Sequence, residues 1–158
     1  MRILGIDPGY DRMGVAVIEK INGKEVVLHS NCFSSNKTDP FAERLRSLGA
    51  QVEEVIKQWQ PGGMALEKLF FENNQKTATS IAEVRGMLLY ISGIHQLSLF
   101  EYTPLQIKVA IAGHGKADKK QVEAMVHALV KLPDTKRLDD EYDAIAIALT
   151  CLAYNQRL

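Results

Sequence analysis

Four carboxylates stand where burial makes a charge expensive. Asp7 ends an uninterrupted apolar run, Ile3-Leu4-Gly5-Ile6, and Pro8-Gly9 stops the strand directly after it. A run without polar alternation marks a strand covered on both faces. An acid at its end is costly to desolvate unless a cation or donors meet it. Glu67 repeats the pattern after Met64-Ala65-Leu66. Asp140 and Asp143 are three residues apart, which sets both on one face of a helix. Plainer duties compete: an Asp before Pro-Gly can cap its own turn. Acids in a helix's first turn favour the macrodipole, which suffices for Asp139, Asp140 and Glu141. It explains less of Asp143, which opens the apolar stretch Ala144-Ile145-Ala146-Ile147-Ala148-Leu149.

Converging carboxylates repel one another unless a cation joins them. Oxygen donors suit a hard divalent ion, Mg2+ or Mn2+. Two such ions per site can activate a water and stabilise the leaving oxygen of a phosphodiester. There is no Cys/His set at zinc spacing.

The elements must bring these acids together. Ile3 to Asp7 is a first strand, Gly14 to Glu19 a second and Glu25 to Phe33 a third. The hairpin signal Asn22-Gly23 joins the last two. Asp39 as N-cap with Pro40 at the first position opens a helix that carries Phe41, Leu45, Leu48, Val52, Val55, Ile56 and Trp59 at helical spacing. Met64 to Leu69 is a strand reached by that helical crossover, so it runs parallel to its partner. A helix from about Gln75 to His95, a strand at Ser98–Tyr102, a short helix opened by Thr103-Pro104, and helices capped by Asp118 and Asp139 complete the chain. If the Asp7 and Glu67 strands pair in parallel, both acids lie at their carboxyl ends, where sites in open α/β sheets form. The expectation is one α/β domain over residues 1–158, with a mixed five-stranded sheet flanked by helices. That element order is similar to the ribonuclease H-like fold.

Composition is that of an ordinary soluble domain, with 46% hydrophobic and 24% charged residues. The 19 basic and 19 acidic residues balance, so local charge decides whether a polyanion binds. Lys116, Lys119 and Lys120 cluster beside the link Gly113-His114-Gly115. A solvated helix start is the plain reading of such a run. Cations there oppose the helix dipole, however, and a phosphate backbone would offset that cost. Lys108 alone reads as solvated. Phe70 and Phe71 read first as core residues. Neighbours on a strand face opposite ways, so one ring can be exposed and stack on a base. Cys32 and Cys151 read as buried thiols, and the four histidines as structural or exposed. No apolar run approaches membrane-spanning length, so the expectation is a cytoplasmic protein with no membrane partner.

With these residues in place, the chain resembles the RuvC family of Holliday junction resolvases. The matching pieces run in one register: Ile3-Leu4-Gly5-Ile6-Asp7-Pro8-Gly9, Ala65-Leu66-Glu67-Lys68-Leu69-Phe70, Arg85-Gly86 and Phe100-Glu101-Tyr102. They continue through Gln106-Ile107-Lys108, Lys119-Lys120-Gln121-Val122 and Asp140-Glu141-Tyr142-Asp143-Ala144. The resemblance implies a homodimeric, magnesium-dependent endonuclease that resolves four-way DNA junctions in recombination and repair by paired symmetric nicks. It implies Asp7, Glu67, Asp140 and Asp143 as metal ligands. Lys108 and Lys119 would support the reaction near the DNA, and Phe70 would stack on unpaired bases. The helix at about Gln75 to His95 would form the dimer interface, and a branch-migration motor complex would be the partner. Phe71 beside Phe70, Lys116 in the glycine link, Glu141 between two ligand positions and a short C-terminal tail depart from the family pattern.

Other classes remain open from the residues alone. One is a nuclease of the same fold acting on RNA or another branched substrate. A second is a junction-binding protein without activity, which would need a missing carboxylate. A third is a nucleotide-binding domain of the actin and sugar-kinase type, which shares the Gly-Ile-Asp-Pro-Gly start. That class uses two such domains and leaves Asp140 and Asp143 unexplained.

Overall fold

The computed structural model describes residues 1–68, 75–132 and 137–155. Phe70 and Phe71 lie outside the described residues. Five strands form one sheet: β1 (Arg2–Asp7), β2 (Arg12–Ile21), β3 (Lys24–Ser34), β4 (Gly63–Glu67) and β5 (Ser98–Tyr102). Five helices accompany them: α1 (Phe41–Trp59), α2 (Gln75–Ile94), α3 (Pro104–Ala112), α4 (Lys119–Leu129) and α5 (Asp139–Tyr154). The strand order is β3-β2-β1-β4-β5. β1, β2 and β3 are antiparallel neighbours, whereas β4 pairs parallel to β1 and to β5. The short links demand the first pattern and the helical crossovers the second. At the hairpin, Asn22 and Gly23 both take positive φ, 52° and 78°, as a tight turn with the right twist requires.

The sheet is covered on both faces, which is why its central strands carry no polar alternation. Leu4, Ile6, Val15, Val17, Met64 and Leu66 pack on the α1 and α2 side. Ile3, Ala16, Ile18 and Ala65 pack on the other side against α5. α5 is buried almost all round, from Tyr142 and Ala144 to Leu152. It approaches β1 closely because small residues meet there. A side chain on Gly5 would collide with the Ala144 carbonyl and lie 2.8 Å from the Ala148 Cβ.

Three local expectations are corrected. Asp39 does not cap α1: Pro40 is its N-cap residue, with no side-chain cap bond. The Asp39 carboxylate instead accepts from Asn36 Nδ2 at 2.9 Å, a local loop bond that competes with capping. Asp139 is the first residue of α5 rather than its cap, which is Leu138. Cys32 is only partly buried, while Cys151 is buried, and both thiols are free. Thr103 and Asp118 do cap α3 and α4, each in a reciprocal box with a glutamine three residues on. No described helix is long and apolar enough to cross a membrane.

Candidate active site

The parallel register aligns Ile6 with Leu66, so Asp7 and Glu67 follow at adjacent strand ends. Alternation along each strand turns both acids toward the α5 side, the side taken by Gly5 and Ala65. α5 supplies the opposite wall, with Asp140 and Asp143 in its first turn and a half. The antiparallel register sets Gly14 directly across from Asp7. A side chain at Gly14 would strike the carbonyl oxygen of Asp140. This glycine therefore lets the start of α5 rest on the sheet beside Asp7.

The electrostatics record the crowding. Burial, reinforced by Asp143, Glu67 and Asp140, pushes the Asp7 carboxyl up to about 7. Burial and Asp143 also raise Glu67, against the pull of Arg85 and Lys108. Burial raises Asp143, although Lys119 draws it back. Burial works against charge on Lys119, but Asp143 and Asp139 overcome it and raise its pKa. Perturbed acids gathered at a strand end are a functional signature with a physical cause.

Cations from two elements answer these acids. Lys119 Nζ sits 3.2 Å from Asp143 Oδ2 and 3.3 Å from Asp139 Oδ2. Arg12 Nη2 sits 3.1 Å from Asp140 Oδ2. Among the described residues, no three acid, His or Cys side chains already close on one ion position. The donor chemistry nevertheless fits a hard divalent ion: four carboxylates, three of them with charge opposed by burial and by neighbouring acids.

Of the sequence-derived lysines, Lys108 and Lys119 line one cleft of about 230 Å³ with Glu67 and Asp143. Lys116 and Lys120 are exposed and do not line it. Glu141 turns from the acids: it accepts from Ser30 Oγ at 2.5 Å and pairs with Arg137 Nε at 3.1 Å, fastening α5 to β3.

A RuvC family model, described as crossover junction endodeoxyribonuclease RuvC, matches residues 3–151. This chain belongs to the RuvC family. A RuvC from Desulfitobacterium hafniense is 42% identical over 158 residues, which is 100% of this chain and 95% of that one. The RuvC structure from Thermus thermophilus aligns with a TM-score of 0.90 at 31% identity, covering 99% of this chain and 96% of that one. The Thermus thermophilus RuvC solved in complex with Holliday junction substrate aligns at 0.91 and 32% identity, covering 99% and 95%. The fold is thus the expected ribonuclease H-like one.

In this RuvC family chain two further residues take places at the site that motif and spacing do not reveal, although Arg85 stands within a matched motif. Arg85, buried on α2, donates from Nη1 to the Glu67 carbonyl at 2.5 Å and from Nη2 to Glu101 Oε1. It ties the ends of β4 and β5 together directly behind the Glu67 carboxylate. Arg12 is the other. An arginine on the apolar stripe of the helix, four residues after Ile81 and three before Leu88, was the available signal for the first. A cation next to the Asp7 turn was the signal for the second.

Proposed function

We propose that this chain, as one nuclease domain over residues 1–158, is a structure-selective endonuclease that resolves four-way DNA junctions by divalent-metal-dependent hydrolysis. The observation that carries the reading is the meeting of Asp7 and Glu67, at adjacent parallel strand ends, with Asp140 and Asp143 on α5, in a chain of the RuvC family. Its relatives are named for crossover junction cleavage, and the Thermus protein was solved on a Holliday junction.

Asp7, Glu67, Asp140 and Asp143 would hold the metal, with magnesium as the first choice, manganese as a substitute, and two ions per site. When bound, such ions supply charge stabilisation of the phosphoryl oxygens and activation of water. The chain's own residues do the rest. Asp7, the most desolvated acid, gains most from a cation. Lys119 leaves Asp143 and Asp139 and turns to the phosphate they vacate it for. Lys108, across the same cleft from Lys119, bears on the strand from the other wall. Lys116 and Lys120, exposed on the same flank, add backbone contacts, and Phe70 or Phe71 stacks on bases near the crossover.

Paired nicks need two sites on one two-fold substrate, hence a two-fold dimer. α2 offers the face. Leu89, Tyr90 and Ile94 are 41%, 68% and 49% exposed and share its outer side with Gly86 and Gly93. An apolar groove of about 490 Å³ between α1 and α2 lies alongside, walled by Leu45, Gly49, Met87, Tyr90 and Ile94. The protein works in the cytoplasm, with a branch-migration motor as its upstream partner.

The decisive experiment incubates the purified chain with a labelled mobile four-way junction, with and without magnesium, and maps nicks on every strand. Symmetric nicks in opposed strands, dependent on the ion, are expected. Nicking of linear duplex, flap or RNA at the same rate overturns junction selectivity.

A further inference from the structure

The acids are flanked on two sides, and the second flank has its own cleft. Arg12 opens β2 and pairs with Asp140, whereas Lys119 pairs with Asp139 and Asp143 and lines a different cleft. The pair is uneven: the Arg12 side chain is 50% exposed and that of Asp140 only 20%. A guanidinium carries five N–H donors in a fixed fork, so one bond to Asp140 leaves most of them unused by that acid. Arg12 and Asp140 sit on the rim of a cleft of about 630 Å³, with Lys37, Ser34 and Ser35 on its walls.

Tyr10, Asp11 and Ser35, which line the cleft, are held from behind by one arginine. Arg44, its side chain only 11% exposed, donates to Asp11, to the Tyr10 carbonyl at 2.9 Å and to Ser35 Oγ at 2.9 Å. Its guanidinium also lies 5.3 Å from the Tyr10 ring centroid. Lys37 Nζ adds a second cation to Asp11 at 3.2 Å. Three cations thus face two acids, Asp11 and Asp140. Any ion that takes Asp140 removes one of those acids from the balance and releases Arg12 into the cleft. The cleft then becomes clearly basic beside the reacting centre.

We infer that this cleft is a second phosphate-binding wall for the DNA strand, and that Arg12 is its exchanging contact. Arg12 holds Asp140 while no divalent ion does, and grips a backbone phosphate once Asp140 turns to the ion. Lys37 supports it from the outer wall. This rests on the functional reading above and adds a coupling: ion and strand each strengthen the other's binding through one arginine, as linkage requires.

Arg12→Ala tests it, with folding checked by thermal melting. Two readouts do not depend on cleavage. In the first, manganese is titrated by calorimetry without DNA. The variant is expected to bind the ion several-fold more tightly, because no guanidinium competes for Asp140. In the second, junction affinity is followed by anisotropy over a salt series, in EDTA and in calcium, with a denaturing gel to confirm intact strands. In calcium the variant is expected to lose roughly tenfold in affinity, and its salt slope to shrink by about one. In EDTA the loss is smaller. Arg12→Lys recovers the slope but only part of the affinity, and Lys37→Ala shows a weaker version of the same loss. Equal affinity and equal slope for wild type and Arg12→Ala in calcium overturn the inference while leaving the nuclease reading intact. Failure of the wild type to bind the junction overturns both.

Discussion

Gly14 faces Asp7 across the β1–β2 pair, and its missing side chain leaves the space that the Asp140 carbonyl fills. One absent carbon thus fixes the distance between the sheet-borne acids and the helix-borne acids. Gly14→Ala is expected to push the first turn of α5 outward. The stability cost should be about 1–3 kcal/mol, as for other overpacked positions. Cleavage should fall far more than stability. Melting and single-turnover junction cleavage measured together check this; a variant that keeps full cleavage counts against the packing account.

Asp7 makes metal-free stability depend on pH. Its carboxyl titrates near 7 in the native state, against 3.8 as the ordinary value. Between those values the native state keeps a proton that the unfolded chain has lost. Stability in chelator should therefore fall as pH rises from about 4 to about 7, and stay low above it. Asp7→Asn should flatten that fall and melt higher than wild type at pH 8 in EDTA, by about 2–4 °C per kcal/mol regained. Magnesium should raise the wild-type melt more than the variant's. Cleavage should be lost, and junction binding kept.

Arg85 should act on Glu67 through the backbone. Arg85→Met leaves Glu101 and the Glu67 carbonyl without their partner. Removing one member of a buried pair costs about 3–5 kcal/mol. The loss here should fall at the low end, since Glu101 is 33% exposed. Glu101→Gln keeps the bond to the Glu67 carbonyl. It should spare cleavage more than Arg85→Met does, even where the two melts agree. Denaturant unfolding beside single-turnover rates separates the effects.

Tyr90→Asp with Ile94→Asp should split the two-fold dimer proposed above. If the proposal holds, sedimentation should show a dimer for the wild type and a monomer for the variant at the same concentration, and the melt of the isolated fold should change little because both side chains are exposed. Paired nicks should give way to slow single nicks. A dimer that survives both charges would move the interface elsewhere.

Much of this was readable before any coordinates. Apolar runs that end in acids fixed the buried strands, and short against helical connections fixed which neighbours run parallel. Those two facts put Asp7 beside Glu67 on condition that their strands pair, and the register meets that condition. The spacing of Asp140 and Asp143 then supplied the facing wall. What escaped is tertiary. Nothing near Arg85 in sequence announces the Glu67 carbonyl, which is 18 residues away. Arg12 and Asp140 are brought together only by the β2–α5 packing. Asp39 misled because its loop offered it Asn36, a nearer partner than the helix end.

The close seat of α5 on β1 has one more consequence. The acids are carried by the ends of buried strands and by the start of a helix buried along its length, with Ala144 and Ala148 against Gly5 close behind them. Such a centre has little room to reshape itself around a substrate. Adaptation then falls to the nucleic acid, and discrimination becomes a matter of which DNA can bend its strand into a rigid mould at small cost.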